Sequence, residues 1–370
     1  MSNLHGIIYA YLASPAMGDL VRRRTSSSLP FCARYRLIDF ALSSMVNAGV
    51  SGVGVIMQRD YQSLLDHIKS GKDWDLDRSR GGLRILPPFG LPETSHGEYR
   101  GDMEALAGVK SYVEDIPEEN VVLMRGDIIE NIDLAAAFET HLRLGTGLTA
   151  VVTQYHPRSR HHCFVPDGDS IAREFLIDRS GDAPGLASLE VYILTKPLLL
   201  ELIDLCESAG KLHFHNDALF LFLSRGGKIA LHEYDGYARR ISTVRDYYSA
   251  SMDMLRPENR AQIFLPERPV HTKERAEVST YYSEQAEVKN SLIADGCIIE
   301  GTVENCVLFR GVRVSKDVHL KDCIIMQDSR ILEGSVLSHI VCDKDVEVTS
   351  GSTIFGSPHL PMVIPKGIRV

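Results

Sequence analysis

The sequence predicts an α/β domain with a mostly parallel sheet, followed by a hexapeptide β-helix. Three observations carry this. Short apolar runs alternate with helical patterns over the first 255 residues. A proline-bearing stretch with Pro257, Pro266 and Pro269 then interrupts the pattern. Beyond it the helical period is lost and a six-residue period takes over. The division expected is residues 1–255 for the α/β domain, 256–287 for a linker and 288–370 for the β-helix.

In chain order, Gly6-Ile7-Ile8 reads as a buried strand, and Leu37, Ile38, Ala41, Leu42, Met45 and Val46 recur at helical spacing until Asn47-Ala48-Gly49 ends that helix. Val53–Met57 is a buried strand, Tyr61–Lys69 a short helix closed by Gly71, and Leu83–Leu86 a strand stopped by Pro87-Pro88. Asp102–Glu114 reads as a helix, Val121–Met124 as a central strand ending at Gly126-Asp127, Leu134–Leu144 as a helix and Leu148–Thr153 as a strand. Leu189–Leu194 is a further strand, Pro197–Cys206 a helix and Val244–Leu255 the last helix.

From Cys306 every sixth residue is small or apolar, through Val312, Val318, Ile324, Val336 and Cys342, with Arg330 the exception. The residue two further on is often apolar too (Leu308, Val314, Leu320, Met326, Leu332). Each hexad forms one flat face and three make a coil, so Cys306 and Cys342 are expected two coils apart on one face. Gly296, Gly301, Gly311, Gly334 and Gly351 suit its corners.

A net charge of −9 argues against a nucleic-acid scaffold, and no apolar run approaches a membrane span. Without a charged n-region followed by an apolar h-region, no secretory signal is expected at the N-terminus. Seven scattered cysteines fit no zinc spacing and read as reduced core fillers of a cytoplasmic protein.

The loop after the first strand is where an α/β protein usually cradles phosphate, with glycines that let backbone N–H groups approach the anion. Here Tyr11-Leu12-Ala13-Ser14-Pro15-Ala16-Met17-Gly18 offers a single glycine. The position is right for a nucleotide and the chemistry is missing.

Pro30-Phe31, Tyr35-Arg36-Leu37-Ile38-Asp39-Phe40-Ala41-Leu42-Ser43, Trp74-Asp75-Leu76-Asp77-Arg78, Gly126-Asp127, Ala187-Ser188, Gly236-Tyr237 with Thr243 and Tyr247-Tyr248, and Asn290–Cys297 together resemble the glucose-1-phosphate adenylyltransferases. The resemblance covers nearly the whole chain. It implies a Rossmann-like nucleotidyltransferase domain and a left-handed parallel β-helix. It further implies the joining of ATP and glucose 1-phosphate to ADP-glucose and pyrophosphate, with Mg²⁺ held by two aspartates. Laid on that family, the triphosphate arginine becomes Ala16, the lysine of the next motif Ser26, the sugar-phosphate lysine Asp178 and the second metal aspartate Arg240. Asp127 survives as a metal-ligand remnant, with Ser188 and Asp217 as remnants of the sugar site. Gly101-Asp102-Met103-Glu104-Ala105 places a carboxylate near the nucleotide position. No catalytic set is intact, and no metal or other cofactor is expected in this chain. An Asp127–Arg240 ion pair is expected to replace the metal.

This pattern resembles the degenerate, GlgD-type member of the family found in Gram-positive glycogen operons. The resemblance implies a regulatory subunit, weak or inactive alone, in a hetero-oligomer (a tetramer) with a catalytic subunit that binds Mg²⁺. It also implies a cytoplasmic setting without nucleic acid or membrane. Arg22, Arg23, Arg24, Arg34 and Arg36 form a basic patch that reads as a site for a phosphorylated effector, or equally as a solvated loop or subunit contact. His156, His161, His162 and Cys163 match no zinc template, and His213 and His215 read as structural. Trp74 reads as a family motif residue or a core corner. Two other functions compete: a slow adenylyltransferase in its own right, and a hexapeptide acyltransferase using His319 or His339.

Overall fold

A computed structural model describes residues 3–11, 14–87, 99–154, 161–168, 170–179 and 184–370, with the side chain of Asp178 excepted. The described residues form two compact units that interleave along the chain. The first comprises residues 1–12, 38–240 and 265–271; the second comprises 13–37, 241–264 and 272–370. The expected boundaries at 255 and 288 therefore miss two excursions, at 13–37 and 241–264, that belong with the β-helix.

The first unit is a nine-stranded sheet. Its path runs Ala172–Arg179, His161–Pro166, Leu186–Thr195, Asn120–Arg125, Leu4–Tyr9, Gly52–Ile56, Gly82–Leu86. Leu148–Thr153 also pairs with Leu186–Thr195, and Ile229–Glu233 lies parallel beside Leu148–Thr153. Leu4–Tyr9 is parallel to both its neighbours, as buried strands linked by helical crossovers should be. Alternate residues feed two cores: Ile7, Tyr9, Val121 and Leu123 enter one, and Ile8, Val122 and Met124 the other. The expected strands and helices of this unit are present, though the helix from Asp102 divides at Gly108 into two.

Leu186–Thr195 is antiparallel to its three partners and carries a bulge between Ser188 and Val191. The bulge contains Glu190, whose φ of 54° lies in the left-handed region. Bulges re-aim side chains, and this one turns Glu190 away from ordinary strand pairing.

The second unit contains a left-handed parallel β-helix of three five-stranded sheets. Its coils hold 15 or 17 residues rather than 18, pairing Ile298 with Arg313 and Thr302 with His319, until the last, which pairs Ile340 with Met362 across 22. A strict period of six therefore slips against the stack. Cys306 stacks with Cys323 and Ile340, whereas Cys342 falls in the column of Leu308 and Ile325. Arg330 breaks the period because it lies in an outward column with Arg313 and Glu347. Gly296, Gly311, Gly334 and Gly351 do take positive φ, and Asn290, Asn305, Asp322 and His339 do so at another corner. Short polar side chains tolerate that region by local hydrogen bonding. Val307, Ile324 and Val341 point outward yet are buried. The excursions 13–37 and 241–264 dock here: Arg24 pairs with Asp343, and the Tyr248 hydroxyl donates to the Asp322 carbonyl at 2.8 Å. All seven cysteines are buried thiols, consistent with core filling.

Candidate functional site

The first unit holds a cavity of about 340 Å³ at the carboxyl ends of its central strands. Such crevices are where open α/β sheets bind ligands. Two backbone features build it. Gly101 is extended and sits against the Leu212 carbonyl, where a Cβ would come within 2.2 Å. That contact, with Met103 N–H donating to Leu212 O at 2.9 Å, delivers Asp102 to the cavity from the start of its helix. The bulge of Leu186–Thr195 delivers Glu190.

A chain of alternating charges crosses the site. Arg125 closes the strand Asn120–Arg125, and its Nε and Nη2 donate to the two Asp127 oxygens, both at 2.8 Å. Its Nη1 donates to Glu190 Oε2 at 3.1 Å, and Arg240 Nη1 donates to Glu190 Oε1 at 2.5 Å. Two guanidiniums are thus matched by two carboxylates. Burial alone would push Glu190 up, but Arg240 and Arg125 outweigh it and hold the acid well below the usual carboxylate range. The expected direct Asp127–Arg240 pair is corrected: each has a partner, and the partners are Arg125 and Glu190.

Aromatic and imidazole groups complete the wall. Tyr11 donates to Asp102 at 3.1 Å and meets Tyr99 edge to face at 5.5 Å. Burial pushes the Asp102 acid up. His162 stacks on His215 at 4.2 Å, and His215 Nε2 lies 2.8 Å from the Tyr192 hydroxyl. Burial presses His215 down to about 3, so it is neutral. Both therefore face the cavity, which the reading of His215 as merely structural missed. His162, Glu190 and His215 bring ligand atoms within 4.8 Å of one another, but both Glu190 oxygens already accept from arginines.

Mg²⁺ does not fit here. It demands hard oxygen ligands in near-octahedral geometry. Both Asp127 oxygens are engaged by one guanidinium, and both oxygens of Glu190 are taken by Arg125 and Arg240.

The remaining sequence-predicted residues scatter. Ser188 Oγ bonds the Tyr192 hydroxyl at 2.8 Å and accepts from Glu190 N–H at 3.0 Å, so it braces the bulge. Asp217 accepts from Leu212 N–H and His213 N–H and fixes the turn before Phe214–Leu219. Glu104 pairs with Arg100 at 2.7 Å. Ala16 is exposed in a 3₁₀ turn and Ser26 is buried, both in the second unit. The Asp178 side chain and His156 lie outside the described residues. Trp74 is a core residue, edge-on to His67, which bonds Asp39 at 2.5 Å.

The five arginines of the basic patch divide among three environments. Arg22 and Arg23 face solvent. Arg24, buried, and Arg36, half-buried, lie close to Lys344, which burial and these two cations press down to about 7. Arg34 lies near Arg310 and Arg275, and Arg310 is lowered by burial and by both. Lys344, Arg275 and Arg310 are distant in sequence, and no local signal ties them to the patch.

Comparison with known proteins adds an independent line. A nucleotidyl transferase family model matches residues 17–256, and a GlmU-like C-terminal hexapeptide model matches 276–359. The chain is 32% identical, over 98% of its length and 96% of the relative's, to the glycogen biosynthesis protein GlgD of Bacillus subtilis. It is 30% identical to a glucose-1-phosphate adenylyltransferase of Clostridium perfringens over 85% of this chain and 81% of the other. A Bacillus mycoides enzyme of the same name is 28% identical over 91% of each chain.

Proposed function

Because this chain belongs to the nucleotidyltransferase family that holds GlgD and the glucose-1-phosphate adenylyltransferases, we propose that it serves glycogen synthesis as a regulatory subunit with little or no turnover of its own. The observation that carries this is the Asp127–Arg125–Glu190–Arg240 chain. Nucleotidyl transfer between phosphates rests on positioning and on neutralising developing negative charge. In this site every one of those charges is spent on another side chain of the same protein. The partner in this reading is a catalytic glucose-1-phosphate adenylyltransferase subunit, joined in a cytoplasmic heterotetramer, with Mg²⁺ bound by that partner. No helix among the described residues is long and apolar enough to cross a membrane. A phosphorylated effector is assigned to the cationic neighbourhood of Arg24, Arg36 and Lys344, where anion binding relieves like-charge crowding.

The test mixes this chain with a catalytic subunit and follows elution size together with ADP-glucose formation. A larger species with an altered rate or effector response supports the reading. Separate elution with an unchanged rate overturns it.

A further inference from the structure

Glu190 is an unusual residue for its place. Its backbone is left-handed at φ 54°, a conformation that disfavours a non-glycine residue. Its side chain is 7% exposed. Pairing of the strand with Leu148–Thr153 resumes at Val191, so the ladder itself does not call for a charged residue in the bulge. The carboxylate does have a use inside the cavity: each of its oxygens accepts from a different guanidinium.

Those guanidiniums are held ready. Arg125 is locked from behind by both oxygens of Asp127, leaving Nη1 directed at Glu190. Arg240 Nε is buried and has no acceptor among the described residues, so this group keeps a donor to spare beside Nη1. Two arginines converging on one pair of oxygens is the geometry that recognises a tetrahedral oxyanion, because a guanidinium offers paired donors in a fixed fork. The cavity beside them is open enough, at about 340 Å³, to admit a phosphate group.

We propose that Glu190 is a tethered anion filling an oxyanion site built by Arg125 and Arg240, and that this site accepts a small phosphate-type oxyanion once the carboxylate is withdrawn. A tethered group competes at high effective concentration, so the parent protein holds free phosphate only weakly here. Anion occupancy at this site is independent of whether the chain turns over or regulates a partner.

The experiment is titration calorimetry with inorganic phosphate on the full-length parent, Glu190→Gly, Glu190→Gln and Glu190→Gly/Arg240→Gln, with folding checked by circular dichroism. Glycine suits the left-handed backbone, and glutamine keeps the side-chain volume should the smaller residue prove unstable. The expected result is a phosphate Kd at least ~10-fold lower in both single variants than in the parent, a gain abolished by Arg240→Gln. Phosphate held by cations of the second unit is common to all four proteins and drops out of the comparison. Folded single variants with the parent's phosphate affinity overturn the proposal, and so does a gain that survives Arg240→Gln.

Discussion

Replacing Arg240 by aspartate removes one cation from the charge chain and adds a carboxylate beside Glu190, so its outcome separates a site closed by its own ion pairs from one free to bind metal. The structure gives the magnitude. Arg240 Nη1 lies 2.5 Å from Glu190 Oε1, with side-chain exposures of 30% and 7%. Removing one partner of a buried pair costs about 3–5 kcal/mol. Solvent around Arg240, and the contact Glu190 keeps with Arg125, reduce this to roughly 2 kcal/mol. A new carboxylate about 5 Å from Glu190 adds repulsion of up to ~3 kcal/mol at an effective dielectric near 20, less whatever a turn toward solvent recovers. Arg240→Asp is therefore expected to lose about 3 kcal/mol, a fall in melting temperature on the order of 6–12 °C. The assay is urea and thermal unfolding followed by circular dichroism, in the parent and in a Glu190→Gln background, with Mg²⁺ titration alongside. The cost should shrink strongly once Glu190 is neutral. An equal cost in both backgrounds, or tight Mg²⁺ binding by Arg240→Asp alone, refutes the charge chain as described.

Further outcomes follow from the same geometry. Burial presses His141 down to about 4 and His215 to about 3, so the native state resists protonation that the unfolded chain accepts near 6.5. Their contribution is full above about pH 6.5 and is lost as pH falls, by roughly 2 kcal/mol each at pH 5; His141→Gln should flatten the stability profile between pH 5 and 7. Glu130 runs the other way: burial raises its acid to about 7, so stability falls as pH rises from about 4.5 to 7, and Glu130→Gln should remove that slope in urea melts at pH 5 and 8. Binding of a phosphorylated sugar beside Lys344 should draw a proton onto that amine at pH 7.5, seen as buffer-dependent heat in calorimetry, and Lys344→Met should abolish the uptake. Gly101→Ala places a methyl against the Leu212 carbonyl and is expected to destabilise by about 2 kcal/mol in thermal melts.

Much of the architecture was legible because hydrophobic period reports burial. The runs at Ile7-Ile8, Val121–Met124 and Leu148–Thr153 became central strands. The six-residue period found the β-helix and put Cys306 and Cys342 on one face two coils apart, yet two residues out of column, because the 17-residue coils between them make an 18-residue count drift. His161–Pro166, Ala172–Arg179 and Ile229–Glu233 escaped notice, being short or polar strands without a clean apolar run. At the site, sequence singled out Arg240 but not the carboxylate it pairs with. Glu190 interrupts an apolar strand, and Arg125 ends another; a charge inside a buried run was the available signal. Their pairing spans 65 residues and depends on a bulge, which only the fold discloses.

The most direct measurement of the central claim is ADP-glucose formation from ATP and glucose 1-phosphate by this chain alone, with saturating Mg²⁺, over a range of enzyme concentrations. A site whose cations and carboxylates are internally matched predicts a rate at least ~10³-fold below that of a catalytic relative under the same conditions, since each missing electrostatic group removes ~10²–10³. Turnover at an ordinary enzyme rate, proportional to the concentration of this chain, would contradict the account. It would require Arg125, Glu190 and Arg240 to part during catalysis.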